Sequence, residues 1–178
     1  MIKVLIGVIV VTIAVVAAFL VLDPNIGITS TDAQVTEVAT NTFSVSIEGE
    51  IFIAGKYTMN QGATMGDLIN TAGGLTNNAD ERAFYESTLL TNGMTYYIAS
   101  KYDSTDLCNM SEVEKANVNN DTAETLATVN GITSTIANSI VTHRTEHGLF
   151  SSLEQLMEVY GIGNATYRKI RNYVILHA

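Results

Sequence analysis

The sequence predicts an α+β chain in three parts: an apolar N-terminal segment of membrane-spanning length, a small mixed sheet holding one helix, and an all-α repeat. Three observations carry this. Val4 to Leu22 is an apolar run, residues from Phe43 alternate with the period of a half-buried strand, and Thr122 to Tyr173 contains one unit twice. With 178 residues, 47% of them hydrophobic, the chain has room for an anchor and about two small domains of ~50–200 residues each.

The first run is broken only by Gly7 and Thr12. At ~1.5 Å per residue it is long enough to cross a ~30 Å hydrocarbon layer. It exceeds the ~7–15 residues of a signal-peptide core, and no small-x-small cleavage site precedes Asp23-Pro24. We therefore expect an uncleaved transmembrane anchor over 1–22. Lys3 lies on one flank and Asp23 on the other, which keeps the short N-terminus in the cytoplasm and puts the rest of the chain outside. Residues 23–42, rich in Thr, Asp, Asn and Ser, are expected to be a stalk. The single cysteine, Cys108, has no partner for an intrachain disulfide, so the outer domains must stand on their own cores.

A domain is expected over 43–100. Phe43, Val45 and Ile47 alternate with polar residues up to Gly49, and a second strand follows at Tyr57. Thr64 with Asp67 forms the pattern of a capping box opening a helix over Met65 to Ala72, which Gly73-Gly74 stops. Asn92-Gly93 is a turn, and Thr95 to Ile98 a further strand. Residues 101–116 are polar and acidic without a period, the signature of a linker that tethers the C-terminal repeat.

The repeat occupies 117–178. At an offset of 30 residues Thr122 falls on Ser152, Leu126 on Leu156, Val129 on Val159, Gly131 on Gly161, Ile132 on Ile162 and Ile140 on Ile170. Such a unit buries its apolar face against its twin, and each copy reads as helix, tight turn, helix. Thr122 and Ser152 are the expected N-caps, each with a glutamate two positions later, Glu124 and Glu154, near the positive end of its helix. In the second copy Gly161-Ile162-Gly163 puts two glycines around one buried residue, a turn able to take positive φ and let a ligand approach. A helix opens from Asn164, and unpaired amides at a helix N-terminus attract anions, phosphate among them. Arg168, Lys169 and Arg171 follow within four positions. One such turn alone more often serves helix packing; two in tandem point further.

These residues carry a resemblance. Asn117-Val118-Asn119, Glu124-Thr125-Leu126, Val129-Asn130-Gly131-Ile132, Ala137, Arg144, Gly148, Phe150, Leu156 and Val159 to Gly163 resemble the tandem helix-hairpin-helix domain of ComEA-type competence DNA receptors. Val45-x-Ile47-x-Gly49-x-Ile51, Gly55-x-Tyr57, Asp67 to Thr76 without Asn70 and Thr71, and Asn92-Gly93 resemble the SLBB type of β-grasp domain, which in ComEA-like proteins sits between anchor and DNA-binding unit. The resemblance implies sequence-independent binding of double-stranded DNA, hairpin amides lying on phosphates of the two strands across the minor groove, and DNA uptake for transformation. The contact would then be carried by Gly161, Ile162, Gly163, Asn164, Ala165, Arg168, Lys169 and Arg171. The loop of Gly131, Ile132, Thr133 and Ser134 is its weaker twin, with Arg144 either at a phosphate or at its helix end. Thr133 replaces the usual second glycine and Asn130 a common proline; because a β-branched residue resists positive φ, the first hairpin is expected to bind phosphate poorly or be purely structural.

Charge opposes a DNA role until it is located. The net −9 falls mostly on residues 24–115, with twelve acids against four bases, a net −8; from Ala116 onward five acids face four bases, a net −1. About two to four neutralised phosphates imply a salt slope of roughly −2 to −4. His143 and His147 have metal-ligand spacing but no evident third ligand, so no metal is expected; the default for Tyr160, Tyr167 and Tyr173 is core packing. With no P-loop, no catalytic carboxylate pair and no nucleophile beside a base, neither an enzyme nor a cofactor is expected. The expected partners are double-stranded DNA and the cell membrane, with self-association or a soluble ligand at the SLBB-like domain. An alternative is a surface scaffold binding polysaccharide or a protein through that domain; deletion of Phe43 to Ser100 is expected to leave DNA retention partly intact under the first view.

Overall fold

The computed structural model describes residues 41–103 and 111–178. The expected anchor, nearly all of the stalk and Cys108 lie outside the described residues. Among the described residues no helix is long and apolar enough to cross a membrane.

Strand β1 (Thr42–Gly49) turns Val45 and Ile47 inward, as its alternation requires. It pairs antiparallel with β2 (Gly55–Asn60), Thr42 opposite Asn60 and Ile47 opposite Gly55. On its other side it pairs parallel with β3 (Thr95–Ile98), Ser46 opposite Thr95. The order is β2-β1-β3. Helix α1 (Met65–Thr71) opens with the expected capping box, Asp67 accepting from the Thr64 amide at 2.8 Å. It buries Met65, Leu68 and Ile69 on the sheet side of the core. Gly73 and Gly74, both at positive φ, end it. The Asn92-Gly93 turn leads into β3 and is tied to β1: the Ser44 amide donates to Asn92 Oδ1 and the Gly93 amide to the Ser44 carbonyl. A 3-10 turn at Glu81–Ala83, capped by Asp80, was not foreshadowed by any period.

The C-terminal part runs β4 (Ala116–Asn117), α2 (Ala123–Leu126), α3 (Ser134–His147), a 3-10 helix (Leu153–Glu158), α4 (Asn164–Ile170) and β5 (Val174–Ile175). Parallel pairing of β4 with β5 brings the two ends of the repeat together. Leu126, Val129, Ile132, Ala137 and Ile140 share one core with Leu156, Val159, Ile162, Tyr167 and Ile170, so each copy buries its apolar face against the other. The opening helices are shorter than the sequence implies, one of four residues and the other 3-10. In both, a bond back three residues, from Val129 to Leu126 and from Val159 to Leu156, tightens the end of the helix before the glycine. The second starts with Gln155 Oε1 accepting from the Ser151 amide at 2.7 Å.

The segments 43–100 and 117–178 do not hang on a linker alone, for Asn41–Ala178 is one compact unit. Ala83 and Ala99 belong to the core of the repeat, with Tyr85 and Tyr97 packed against it. The Leu176 amide donates to the Arg82 carbonyl at 2.9 Å, and Asn172 Oδ1 accepts from the Ser100 amide at 2.8 Å. Part of the expected linker is docked as well. Lys115, its side chain 1% exposed, reaches Asp80 at 2.8 Å, and Arg82 bridges Asp80 to Glu112. Burial pushes the Asp80 carboxyl up, but hydrogen bonds from Arg82 and Lys115 prevail and hold it at about 2. Deleting Phe43 to Ser100 would uncover the core of the repeat and strand Lys115 without its counter-ion, so that deletion does not separate the two functions as expected; single side-chain changes do.

Candidate nucleic-acid interface

Both hairpins are built alike. The Ile132 amide donates to the Val129 carbonyl at 2.9 Å and the Ile162 amide to the Val159 carbonyl at 3.0 Å, closing each turn around a buried isoleucine. Gly131 has φ +111° and Gly161 φ +91°, a region that L side chains resist. Space demands glycine too. A Cβ on Gly131 would stand 3.0 Å from Ile170 Cγ2 and Lys169 Cδ of α4, and one on Gly161 3.2 Å from Ile136 Cγ1 of α3. Each loop is thus seated on the helix that follows the other loop.

The second position behaves differently from expectation. Gly163 has φ −91° and ψ 178°, and Thr133 has φ −77° and ψ 162°. Both are extended N-caps that any residue adopts, so the β-branched side chain of Thr133 fits without strain. Its Oγ1 accepts from the Ile136 amide at 3.3 Å, capping α3. That leaves the Ser134 and Thr135 amides at the first loop. Gly163 supplies no side-chain cap, so the first-turn amides of α4, from Asn164 and Ala165 onward, keep their hydrogens for a ligand. Neither helix has an acidic residue in its first turn, and no heavy atom lies within 4 Å of the position a Gly163 Cβ would take.

The basic residues divide. Arg168 and Lys169 are exposed on α4 and form no ion pair among the described residues, and the Lys169 stem passes beside Gly131. Arg171 instead lies over the Tyr97 ring, 3.7 Å from its centroid, with its NH1 3.4 Å from Glu48. Arg144 donates to the carbonyls of Val118 and Asp121, each at 2.7 Å. Both are bound within the fold. The tyrosines divide too. Tyr167 is core, as expected, whereas Tyr173 is partly exposed and Tyr160 is 83% exposed beside Gly161. His143 stacks on Phe150, ring centroids 5.0 Å apart, and sits 4.6 Å from the His147 ring.

Sequence reasoning placed Glu154 at the positive end of a helix and missed what it does. It is 3% exposed, and Oε1 accepts from the Tyr97 amide at 2.9 Å and the Tyr167 hydroxyl at 2.8 Å. Burial pushes its carboxyl above the ordinary value, outweighing those donors, and burial beside it pushes the Tyr167 hydroxyl up as well. The only signal in the sequence is a carboxylate between Leu153 and Leu156, inside an apolar stretch.

Comparison with known proteins fits this geometry. Residues 111–175 match the family described as helix-hairpin-helix motif. The chain is 29% identical over 142 residues to ComE operon protein 1 of Bacillus subtilis (strain 168), covering 75% of this chain and 69% of that protein. It is 44% identical over 63 residues to an uncharacterized protein of Haemophilus influenzae, covering 35% of this chain and 56% of that one. It is 42% identical over 60 residues to endonuclease/exonuclease/phosphatase family domain-containing protein 1 of Bos taurus, covering 34% of this chain and 10% of that protein. The shorter two likenesses have the length of the repeat. The chain is thus similar to ComE operon protein 1 over most of its length, and residues 111–175 at its C-terminal end match the helix-hairpin-helix motif.

Proposed function

We propose that this chain is a membrane-anchored extracytoplasmic receptor that binds double-stranded DNA without sequence specificity and holds it for uptake. The helix-hairpin-helix match and the ComEA-type likeness support DNA binding in competence. The observation that carries it here is the pair of matching turns, each with its glycine at positive φ and each followed by a helix start with no carboxylate in its first turn. Backbone amides grip phosphate oxygens without regard to base, so such contacts give affinity but not sequence preference. Tethering adds effective concentration, because neighbouring copies on one membrane engage a single duplex. The apolar run over 4–22 supports the anchor, and the SLBB-like segment 43–100 is its spacer. The function invoked is binding, not catalysis.

The test is duplex binding by the full chain in mild detergent, with Gly163→Val beside it. A Cβ at Gly163 meets nothing within 4 Å, and the valine side chain then occupies the approach to the α4 amides. Binding is expected to fall by at least about tenfold, as for the loss of charge-assisted hydrogen bonds, with helix content unchanged. An unaltered affinity would remove the hairpin as the contact. A scaffold role keeps one observation in its favour, the exposed Phe52 and Ile53 after β1; it gains the field if the full chain shows no duplex binding even at low salt.

A further inference from the structure

Tyr160 is the most exposed large apolar side chain among the described residues, at 83%. It stands where the first copy has Asn130, directly before the positive-φ Gly161. It lines a groove of about 490 Å³ whose other wall is α3, from Thr135, Asn138 and Ser139 to His143, Glu146 and His147. Thr135 belongs to the first turn of α3 and His147 to its last, so the groove follows that helix, with Tyr160 of the second hairpin's loop on its other side. No lysine or arginine lines it, and Glu146 is the one carboxylate that does.

We infer that this groove is a non-ionic contact for the uncharged part of a duplex, with the Tyr160 ring against deoxyribose and base edges between the two gripped phosphate runs. The inference rests on the DNA-binding proposal and adds to it a residue and a ligand chemistry. Phosphate itself suits the groove poorly: beside hydroxyls, an amide, an aromatic face and the imidazoles of His143 and His147, the lining carries the Glu146 carboxylate, which repels an anion. Sugars and base edges suit it, because they present apolar faces flanked by neutral hydrogen-bonding groups. A duplex held at both hairpins brings those parts to the loop of the second one, where Tyr160 stands beside Gly161. The charge of the domain makes such a contact necessary. With Arg144 and Arg171 bound inside the fold, two exposed cations remain on α4, too few for phosphate contacts alone to supply strong binding. An exposed aromatic ring covered by sugars and base edges buries apolar area, which adds affinity without regard to base identity.

The experiment is fluorescence anisotropy of a labelled random-sequence duplex with the full chain in mild detergent, over a series of salt concentrations. Tyr160→Ala is compared with Tyr160→Phe and with Gly163→Val. Tyr160→Ala is expected to weaken binding about tenfold, the order of burying part of one apolar side chain, with an unchanged salt slope and an unchanged melting temperature. Tyr160→Phe is expected to bind within about twofold of the parent, since the ring makes the contact. Tyr160→Ala binding like the parent while Gly163→Val fails overturns the groove contact and leaves the DNA-binding proposal standing. A shallower salt slope in Tyr160→Ala also overturns it, as does an equal loss in Tyr160→Phe. A parent chain that binds no duplex at any salt overturns both.

Discussion

Glu154 shows how one side chain joins the two halves of the described unit. Its Oε1 closes the amide of Tyr97 in β3 and the hydroxyl of Tyr167 in α4, so a carboxylate of the repeat satisfies a backbone donor of the sheet. Because the folded-state pKa is raised above the ordinary 4.5, the folded protein keeps the proton where the unfolded chain has lost it. Stability from this group is therefore fullest below about pH 4.5 and declines as pH rises through the window above it. Glu154→Gln keeps an acceptor for both donors and cannot ionise. Thermal melting from pH 4 to 8 should show the variant with a flatter profile, its melting temperature equal to the parent's at the acid end and a few degrees higher at neutral pH. A variant less stable at every pH would mean that the negative charge itself holds the joint. At this scale the sequence was least legible. Glu154 and Arg171 were assigned by local rules, helix dipole and basic cluster, while their partners Tyr97 and Glu48 lie 57 and 123 residues away, beyond any periodicity.

Elements were more legible than single roles. The alternation of Phe43, Val45 and Ile47, the Thr64–Asp67 capping box and the 30-residue repeat all found their places, because each is a local pattern with a local cause. The hairpins were read correctly as turns, yet Thr133 was expected to impair the first one by resisting positive φ, a conformation its position does not take. Positive φ belongs to the first position of each pair, Gly131 and Gly161; the second position is an extended N-cap where Thr133 serves as well as Gly163. Sequence alone does not separate these, since glycine suits both conformations. Substitution does. Gly131→Ala must hold an L residue at φ +111° with a Cβ 3.0 Å from Ile170 and Lys169, at a cost of about 2 kcal/mol or more. Gly163→Ala meets nothing within 4 Å at an ordinary φ and should match or slightly exceed the parent's stability. Urea midpoints of the two variants measure the contrast, and equal losses would contradict the assignment of conformations.

At the scale of the whole molecule the question is how a chain of net charge −9 would hold the polyanion we propose for it. Counting basic residues of the repeat overstates its reach, because the fold binds two of the four to itself: Arg144 against the carbonyls before α2, Arg171 against Tyr97 and Glu48. The acids of the sheet segment are partly answered in turn, Asp80 by Lys115 and Arg82, Glu48 by Arg171. The surface proposed to face a duplex is then nearly neutral, with amide nests, two cations on α4 and an aromatic ring. Counterion release scales with the cations that meet phosphates, so two of them set a slope of log K against log salt of about −2, the shallow end of the range the composition allowed. Removing one, Arg168→Ala, should bring the slope to about −1, while weakening binding by a similar factor on any duplex sequence. Titrations at several salt concentrations read both values directly. A parent slope near −4 would show that Arg144 and Arg171 leave their internal partners when DNA arrives, and Glu48→Gln, which loosens Arg171 beforehand, would then bind more tightly at low salt.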